Sequence, residues 1–307
     1  MNDLSRLETK VSKSDLVSMS SLVWGTWRCL KQFNDTQSFA RFLHELQILG
    51  VTTLDTADIY GGHGAEAFLG QALREMGTAA NVFQIVSKGG IRTASDRFTH
   101  IETGHYDSSP AYIRRSVERS LRELGRQTLD LFLIHRPDYL MDASETGDAL
   151  DNLINDGLAK SVGVSNFSTS QFNLLQSGMT NRLVTNQIEY SPLETMALDD
   201  GRLDQMQFVK LRPMCWSPLG AGRLFEPKGK QAIRVRFALE RLSDKYDLSG
   251  IDAAAIVWTL RHPSRPVPVI GTGRIDRIGN VLRAVSKTIE HEDWYRILVA
   301  SRGKDMA

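Results

Sequence analysis

Apolar and polar positions alternate in short blocks along most of this chain. Between Leu22 and Ala284, brief β-branched or leucine-rich runs are separated by longer amphipathic stretches. The runs predict strands at Leu22–Thr26, Thr52–Asp55, Val82–Ser87, Leu129–Ile134, Ser161–Val164, Val184–Ile188, Arg212–Trp216 and Val267–Ile270. Most are too apolar to be half exposed, which is the mark of parallel strands covered on both faces. The intervening stretches have helical spacing. Phe39, Phe42, Leu43, Leu46 and Leu49 share one face before Gly50. Ile113, Val117, Leu121 and Leu124 do the same between Ser109-Pro110 and Gly125. Leu150, Leu153 and Ile154 form a third stripe, closed by Gly157. Further helices are predicted at Thr169–Ser177, Leu198–Phe208, Ile251–Arg261 and Arg274–Val285.

Eight strands, each followed by a helix, predict an α/β fold: a closed (β/α)8 TIM barrel forming one domain over residues 1–307. No linker rich in Pro, Gly or Ser divides it. A doubly wound open sheet is the competing architecture, but no strand leads into a GxGxxG turn. The first ~20 residues read as an N-terminal strap or hairpin, and Glu290–Arg302 as an extra C-terminal helix.

Composition narrows the partners. The 307 residues include 37 basic and 36 acidic side chains, a net charge of +1. No charged tail or block points to nucleic acid or to a membrane surface. No segment approaches the roughly 18 consecutive apolar residues needed to cross a bilayer. Asp3, Arg6, Glu8, Lys10 and Lys13 interrupt the N-terminus, which lacks the apolar stretch of a secretory signal. Two cysteines, Cys29 and Cys215, make neither a disulfide framework nor a zinc spacing. A cytoplasmic protein with a small-molecule substrate fits this balance; oligomeric state leaves no mark.

The chemistry gathers at the predicted strand ends, which in such a barrel share one rim. The second strand ends in Asp55, within Leu54-Asp55-Thr56-Ala57-Asp58-Ile59-Tyr60-Gly61; the third leads to Lys88; the fourth to His135 and Arg136. The fifth leads to Ser165 and Asn166, the sixth carries Gln187, and the seventh ends at Trp216 and Ser217. Each alone has a plainer explanation: Asp55 as a turn cap, Lys88 as a surface charge, His135 as a core histidine, Tyr60 as a packing aromatic. Together on one rim they form a proton-transfer set. A phenol of pKa about 10 is a poor acid at neutral pH. An adjacent Lys88 would lower that value, Asp55 would hold Lys88, and His135 as a neutral donor would stabilise an oxyanion. No GxSxG elbow, activated cysteine or HExxH pattern is present, so no metal site is expected. His63, His100 and His105 read as solvated loop residues.

At these residues the chain resembles the aldo-keto reductase family. The resemblance runs from Gly25 to about Leu282. It rests on Gly25-Thr26-Trp27, the Asp55–Gly61 segment, Gly163-Val164-Ser165-Asn166-Phe167 and Trp216-Ser217-Pro218-Leu219-Gly220. It implies a carbonyl reductase with a catalytic tetrad of Asp55, Tyr60, Lys88 and His135, using NADPH. The cofactor would lie along Gly25, Thr26, Trp27 and Asp55, with Ser165, Asn166 and Gln187 on its carboxamide and Trp216 on its ring. Ser217, Pro218, Leu219, Gly220 and Arg223 would follow the pyrophosphate; Gly271, Thr272, Gly273, Arg274 and Arg277 would hold the 2′-phosphate. Asn280 and Val281 stand where many members have a Glu-Asn pair on the adenine. Arg136 stands where many have Trp, at the border of the substrate pocket, and reads equally as a contact to an anionic substrate or as one half of a structural ion pair. Trp27, Ile59, Arg136 and Phe225 are the expected substrate contacts, in a pocket formed by the loops after strands one, four and seven and by the C-terminal segment. Some members of the family act instead as nicotinamide-binding regulatory subunits, the alternative reading. A barrel with lyase or hydrolase chemistry lacks any supporting motif.

Overall fold

The computed structural model describes residues 19–95, 98–99 and 101–306. The predicted N-terminal strap lies outside the described residues, apart from its last two positions, and so does His100.

The chain opens with β1 (Val23–Gly25), the short α1 (Cys29–Gln32), α2 (Thr36–Ile48) and β2 (Thr53–Asp55). A tight turn, α3 (Tyr60–His63), precedes α4 (Ala65–Met76), β3 (Gln84–Gly89) and a small hairpin of β4 (Ile91–Arg92) and β5 (His105–Tyr106). Next come α5 (Pro110–Leu124), β6 (Leu131–Ile134), α6 (Ala143–Asn155), β7 (Val162–Ser165), α7 (Thr169–Ser177), β8 (Leu183–Glu189) and α8 (Arg202–Phe208). The last third holds β9 (Met214–Trp216), α9 (Gly229–Lys245), α10 (Ile251–Leu260), β10 (Val267–Ile270), α11 (Ile275–Ala284) and α12 (His291–Arg302).

Eight strands close in the order β1-β10-β9-β8-β7-β6-β3-β2, every pair parallel. This is the expected barrel. Val23, Val86, Leu131, Leu133, Met214, Val267 and Val269 form a cluster from the strands alone, while a larger one unites strands and helices. Burial on both faces explains the unbroken apolar runs.

The helices begin and end where their chemistry dictates. Asp35 accepts from Ser38 N at 2.7 Å to start α2. Ser168 and Gln171 form a reciprocal capping box on α7. Proline occupies the first turn of α5, and Gly125 ends that helix in the left-handed region at φ 67°. The extra C-terminal helix is present as α12.

Several elements depart from expectation. β3 lies two residues further on than predicted and takes in Lys88. Val82 is 41% exposed at the end of a 3₁₀ stretch, while pairing with β6 aligns Lys88 with Leu133 and Gly89 with Ile134. Residues 198–208 split into a 3₁₀ turn and the shorter α8. The helices α4 and α9 and the β4–β5 hairpin were not anticipated. Helix α9 is 17 residues long, and its stripe of Ala232, Val235, Leu239 and Leu242 was there to be read. Among the described residues, no helix is long and apolar enough to cross a membrane.

Candidate active site

Strand ends deliver the tetrad to one rim. Lys88 sits on β3, fully buried, where its ammonium needs partners to offset desolvation. It has three: Nζ donates to Asp55 Oδ2 at 2.7 Å, to the Thr56 carbonyl at 2.8 Å and to Tyr60 Oη at 3.2 Å. Asp55 is steered from its other side as well, since Gln187 Nε2 donates to Oδ1 at 2.7 Å. His135 follows β6, its ring set edge-on to Tyr60 with centroids 5.7 Å apart. Its Nδ1 is buried without a hydrogen-bond partner among the described residues.

Tyr60 stands at the head of a turn that two glycines make easy. Gly61 and Gly62 both adopt positive φ, 59° and 65°. A Cβ on Gly61 would lie 2.4 Å from Leu30 Cδ1. Upstream, Asp58 ties the same loop to the barrel. Its N–H donates to the Lys88 carbonyl at 3.0 Å. Its carboxylate accepts from Ser116 Oγ and Arg119 Nη2, each at 2.8 Å. His63, expected in solvent, is buried instead, with Nδ1 2.7 Å from the Asp58 carbonyl oxygen; His105 is exposed on β5.

Burial and charge settle the protonation states. Burial is the largest influence on Lys88 and opposes its charge, yet Asp55 and Tyr60 together hold its pKa above the ordinary lysine value. For Tyr60, burial raises the phenol's pKa and outweighs the nearby Lys88 charge, so the net direction is upward. From sequence the reverse is expected, because the neighbouring ammonium is visible there and the desolvation is not. Burial, followed by the charges of Lys88 and Arg136, pushes His135 well below 6.5, so its ring is neutral at physiological pH.

Asp55, Tyr60 and His135 face a cavity of about 590 Å³, with Lys88 buried behind them. Going round the rim it is lined by Tyr60, His135 and Arg136, then Ser165, Asn166 and Gln187, then Trp216–Leu219, and last Gly271, Thr272 and Arg277. All four expected substrate contacts, Trp27, Ile59, Arg136 and Phe225, line it too. Among the described residues nothing after Val281 does, so the expected contribution of the C-terminal segment is not seen. Thr26, Gly220, Arg223, Gly273, Arg274 and Asn280 lie outside the lining. Arg274 pairs with Asp276 at 2.6 Å, Arg223 Nε donates to the Gly220 carbonyl, and Asn280 accepts from Arg283. Thr26 Oγ1 donates to Thr56 Oγ1 inside the barrel.

Some of the lining was not legible in sequence. Gln32 ends the four-residue α1 and Arg28 directly precedes it, a stretch too short for any periodicity; Gln32 Nε2 donates to the Gly271 carbonyl at 2.7 Å. Asp252, in the first turn of α10, has the look of an ordinary helix-opening acid. Asn166 has more than one task. Its Nδ2 donates to Ser165 Oγ at 2.8 Å, and its Oδ1 accepts from Trp216 Nε1 at 3.0 Å, which locks the indole across the rim. Among the described residues, no group of three His, Cys, Asp or Glu could hold a metal ion.

A closed parallel barrel whose rim carries a buried lysine between a carboxylate and a phenol, with a neutral imidazole opposite, brings together the groups that acid–base chemistry needs. A sequence model described as the Aldo/keto reductase family matches residues 21–300, and the chain belongs to that family of oxidoreductases. It is 42% identical over 303 residues to a 6-dehydroglucose reductase of Agrobacterium fabrum, covering 97% of this chain and 99% of that one. It is 41% identical over 287 residues to the oxidoreductase YdhF of Escherichia coli, covering 94% and 95%. An aldo-keto reductase from Klebsiella pneumoniae, crystallised with NADPH, shares the fold at a TM-score of 0.73 and 22% identity, over 94% of this chain and 93% of that one.

Proposed function

We propose that this protein reduces an aldehyde or ketone to the alcohol, taking hydride from NADPH and a proton from Tyr60. The observation that carries the reading is Lys88 Nζ lying between Asp55 Oδ2 and Tyr60 Oη at 2.7 and 3.2 Å, opposite a neutral His135.

NADPH supplies the hydride when bound. The cavity suits it: Trp216 offers an aromatic face, and Gln187, with its Nε2 on Asp55, has its carbonyl oxygen left for a carboxamide N–H. In the segment after Trp216, positive φ at Ser217, Gly220, Ala221 and Gly222 makes a backbone concavity of the kind that receives phosphates. Arg277 stands at the far side, its guanidinium over the Phe225 ring at 4.7 Å, with no ion pair among the described residues. Ser165, Asn166, Gly271 and Thr272 would complete the contacts. Arg274, now paired with Asp276, would have to leave that carboxylate to hold a 2′-phosphate. The NADPH bound by the Klebsiella pneumoniae relative supports the choice of cofactor.

With its pKa raised, Tyr60 is fully protonated at neutral pH, as a proton donor must be. The task of Lys88 is therefore to stabilise the phenolate as the proton leaves. His135 Nε2 donates to the same substrate oxygen, and Asp55 keeps Lys88 charged and aimed. The names of the relatives favour a hydroxylated aldehyde, since one is described as reducing 6-dehydroglucose. Two free, buried cysteines suit the reducing cytoplasm, where we place the protein.

Loss of NADPH absorbance with a panel of aldehydes and ketones tests the reading. Tyr60→Phe should cut turnover by about 10²–10⁴ while its NADPH affinity stays near wild type. Undiminished NADPH oxidation by that variant would remove Tyr60 as donor. Tight NADPH binding by the wild type without turnover of any carbonyl would replace the enzyme by a nicotinamide-binding regulatory subunit.

A further inference from the structure

We propose that Arg136 selects the substrate by binding an oxygen on the carbon next to the reacting carbonyl, so that α-oxygenated aldehydes and ketones are preferred to plain hydrocarbon ones. This rests on the reductase reading and deepens it.

Arg136 directly follows His135. The backbone between them is held on both sides: His135 N–H donates to the Gly89 carbonyl at 2.8 Å, and its carbonyl accepts from Asn166 Nδ2 at 3.3 Å. From that anchor the side chain crosses the mouth of the barrel, its guanidinium carbon 5.9 Å from the centre of the Trp216 ring. It lines the cavity, yet among the described residues it makes no ion pair and no hydrogen bond. Glu189, at the end of β8, lies in its field without pairing to it.

A guanidinium carries five donors and no acceptor. Beside it in the cavity stand Ile59, Trp216 and Trp27, which offer ring and alkyl surface. Half-buried there, its donors have no protein acceptor among the described residues and stand open to a ligand oxygen. Of the carboxylates around it, Asp55 is already bound to Lys88 at 2.7 Å and Glu189 does not pair with it. With the carbonyl oxygen held by Tyr60 and His135, Arg136, which follows His135 and lines the same cavity, would meet an oxygen on the neighbouring carbon. A hydroxyl accepts one of its N–H groups; a carboxylate accepts two in the planar fork.

Matched substrate pairs separate these sources: propanal against D-glyceraldehyde for the hydroxyl, acetaldehyde against glyoxylate for the carboxylate. The wild type should favour the oxygenated member of at least one pair by about tenfold or more in kcat/KM, and the pair that shows it identifies the group. Arg136→Met should lower that preference by about 10–100-fold, chiefly through KM, as expected for loss of a hydrogen bond to a charged group. Arg136→Lys, which keeps the charge but not the fork, should recover part of any glyoxylate preference. Two results overturn the inference. In one, Arg136→Met depresses both members of each pair equally, or weakens NADPH in a fluorescence titration without changing the preference. In the other, the wild type reduces both members of each pair alike, which leaves the reductase reading standing.

Discussion

Lys88 donates to Asp55 at 2.7 Å from a position with no solvent exposure, so each group is the other's principal compensation for leaving water. A buried pair of this kind is costly to break from one side, because the remaining charge keeps its desolvation penalty. Lys88→Met should therefore do two separate things. Turnover should fall to near background, and the fold should lose about 3–5 kcal/mol. Adding Asp55→Asn should restore part of the stability and none of the activity. Chemical denaturation of the single and double variants measures the coupling, and strictly additive losses would show that the pair is not what holds the site.

His135 sets a pH signature. Its folded pKa is depressed well below 6.5, first by burial and then by Lys88 and Arg136. The unfolded imidazole takes up a proton near 6.5 while the folded one does not, so the His135 contribution to stability declines as pH falls below 6.5. Turnover should show no inflection from imidazole protonation between pH 8 and 6. A profile of kcat against pH checks this; a loss centred on 6.5 that disappears in His135→Gln would contradict a neutral ring. His135→Ala should cost about 10²–10³ in kcat, the size of one oxyanion donor.

Glu66 carries the opposite sign. Only 1% exposed on α4, it accepts from Ser87 Oγ at 2.5 Å and Ser120 Oγ at 2.8 Å, and burial raises its pKa to about 7. A folded pKa above the unfolded value of 4.5 means that its contribution is complete below 4.5 and is lost as pH rises towards 7. Glu66→Gln should stabilise the protein at pH 8 by up to about 3 kcal/mol, from roughly 1.4 kcal/mol per pKa unit. The difference should close by pH 5. Melting curves at the two pH values decide it, and parallel curves would count against a burial-raised pKa.

Gly70 tests the helix layer. A Cβ there would sit 2.1 Å from the Glu123 carbonyl oxygen and 2.8 Å from Leu124 Cα, so α4 touches the end of α5 through this glycine. Alanine is favoured within a helix by about 1 kcal/mol. A backbone clash that forces two helices apart outweighs that gain, and Gly70→Ala should destabilise by about 1–3 kcal/mol net. Denaturant titration should show a lower midpoint, with NADPH affinity unchanged below the transition; a stabilised variant would mean the helices move apart freely.

The barrel and most of the rim were determined by sequence alone, because both are written in local pattern. Parallel strands buried on two faces must be short and apolar throughout, and Val267–Ile270 matched residue for residue. Polar groups that close such runs, Asp55, His135, Ser165 and Asn166 among them, stand on one rim once the strands are parallel. The tertiary structure decided what depends on distance and water. Lys88 looked able to acidify Tyr60, but burial outweighs its charge and leaves the phenol protonated. His63 read as a loop residue, yet the fold encloses it against Asp58. Arg136 was open to two explanations from sequence; the absence of a partner among the described residues, at the mouth of the cavity, favours the substrate. Periodicity records which face of an element is buried, whereas a pKa or a missing partner depends on residues distant in the chain, and only closure of the barrel brings those together.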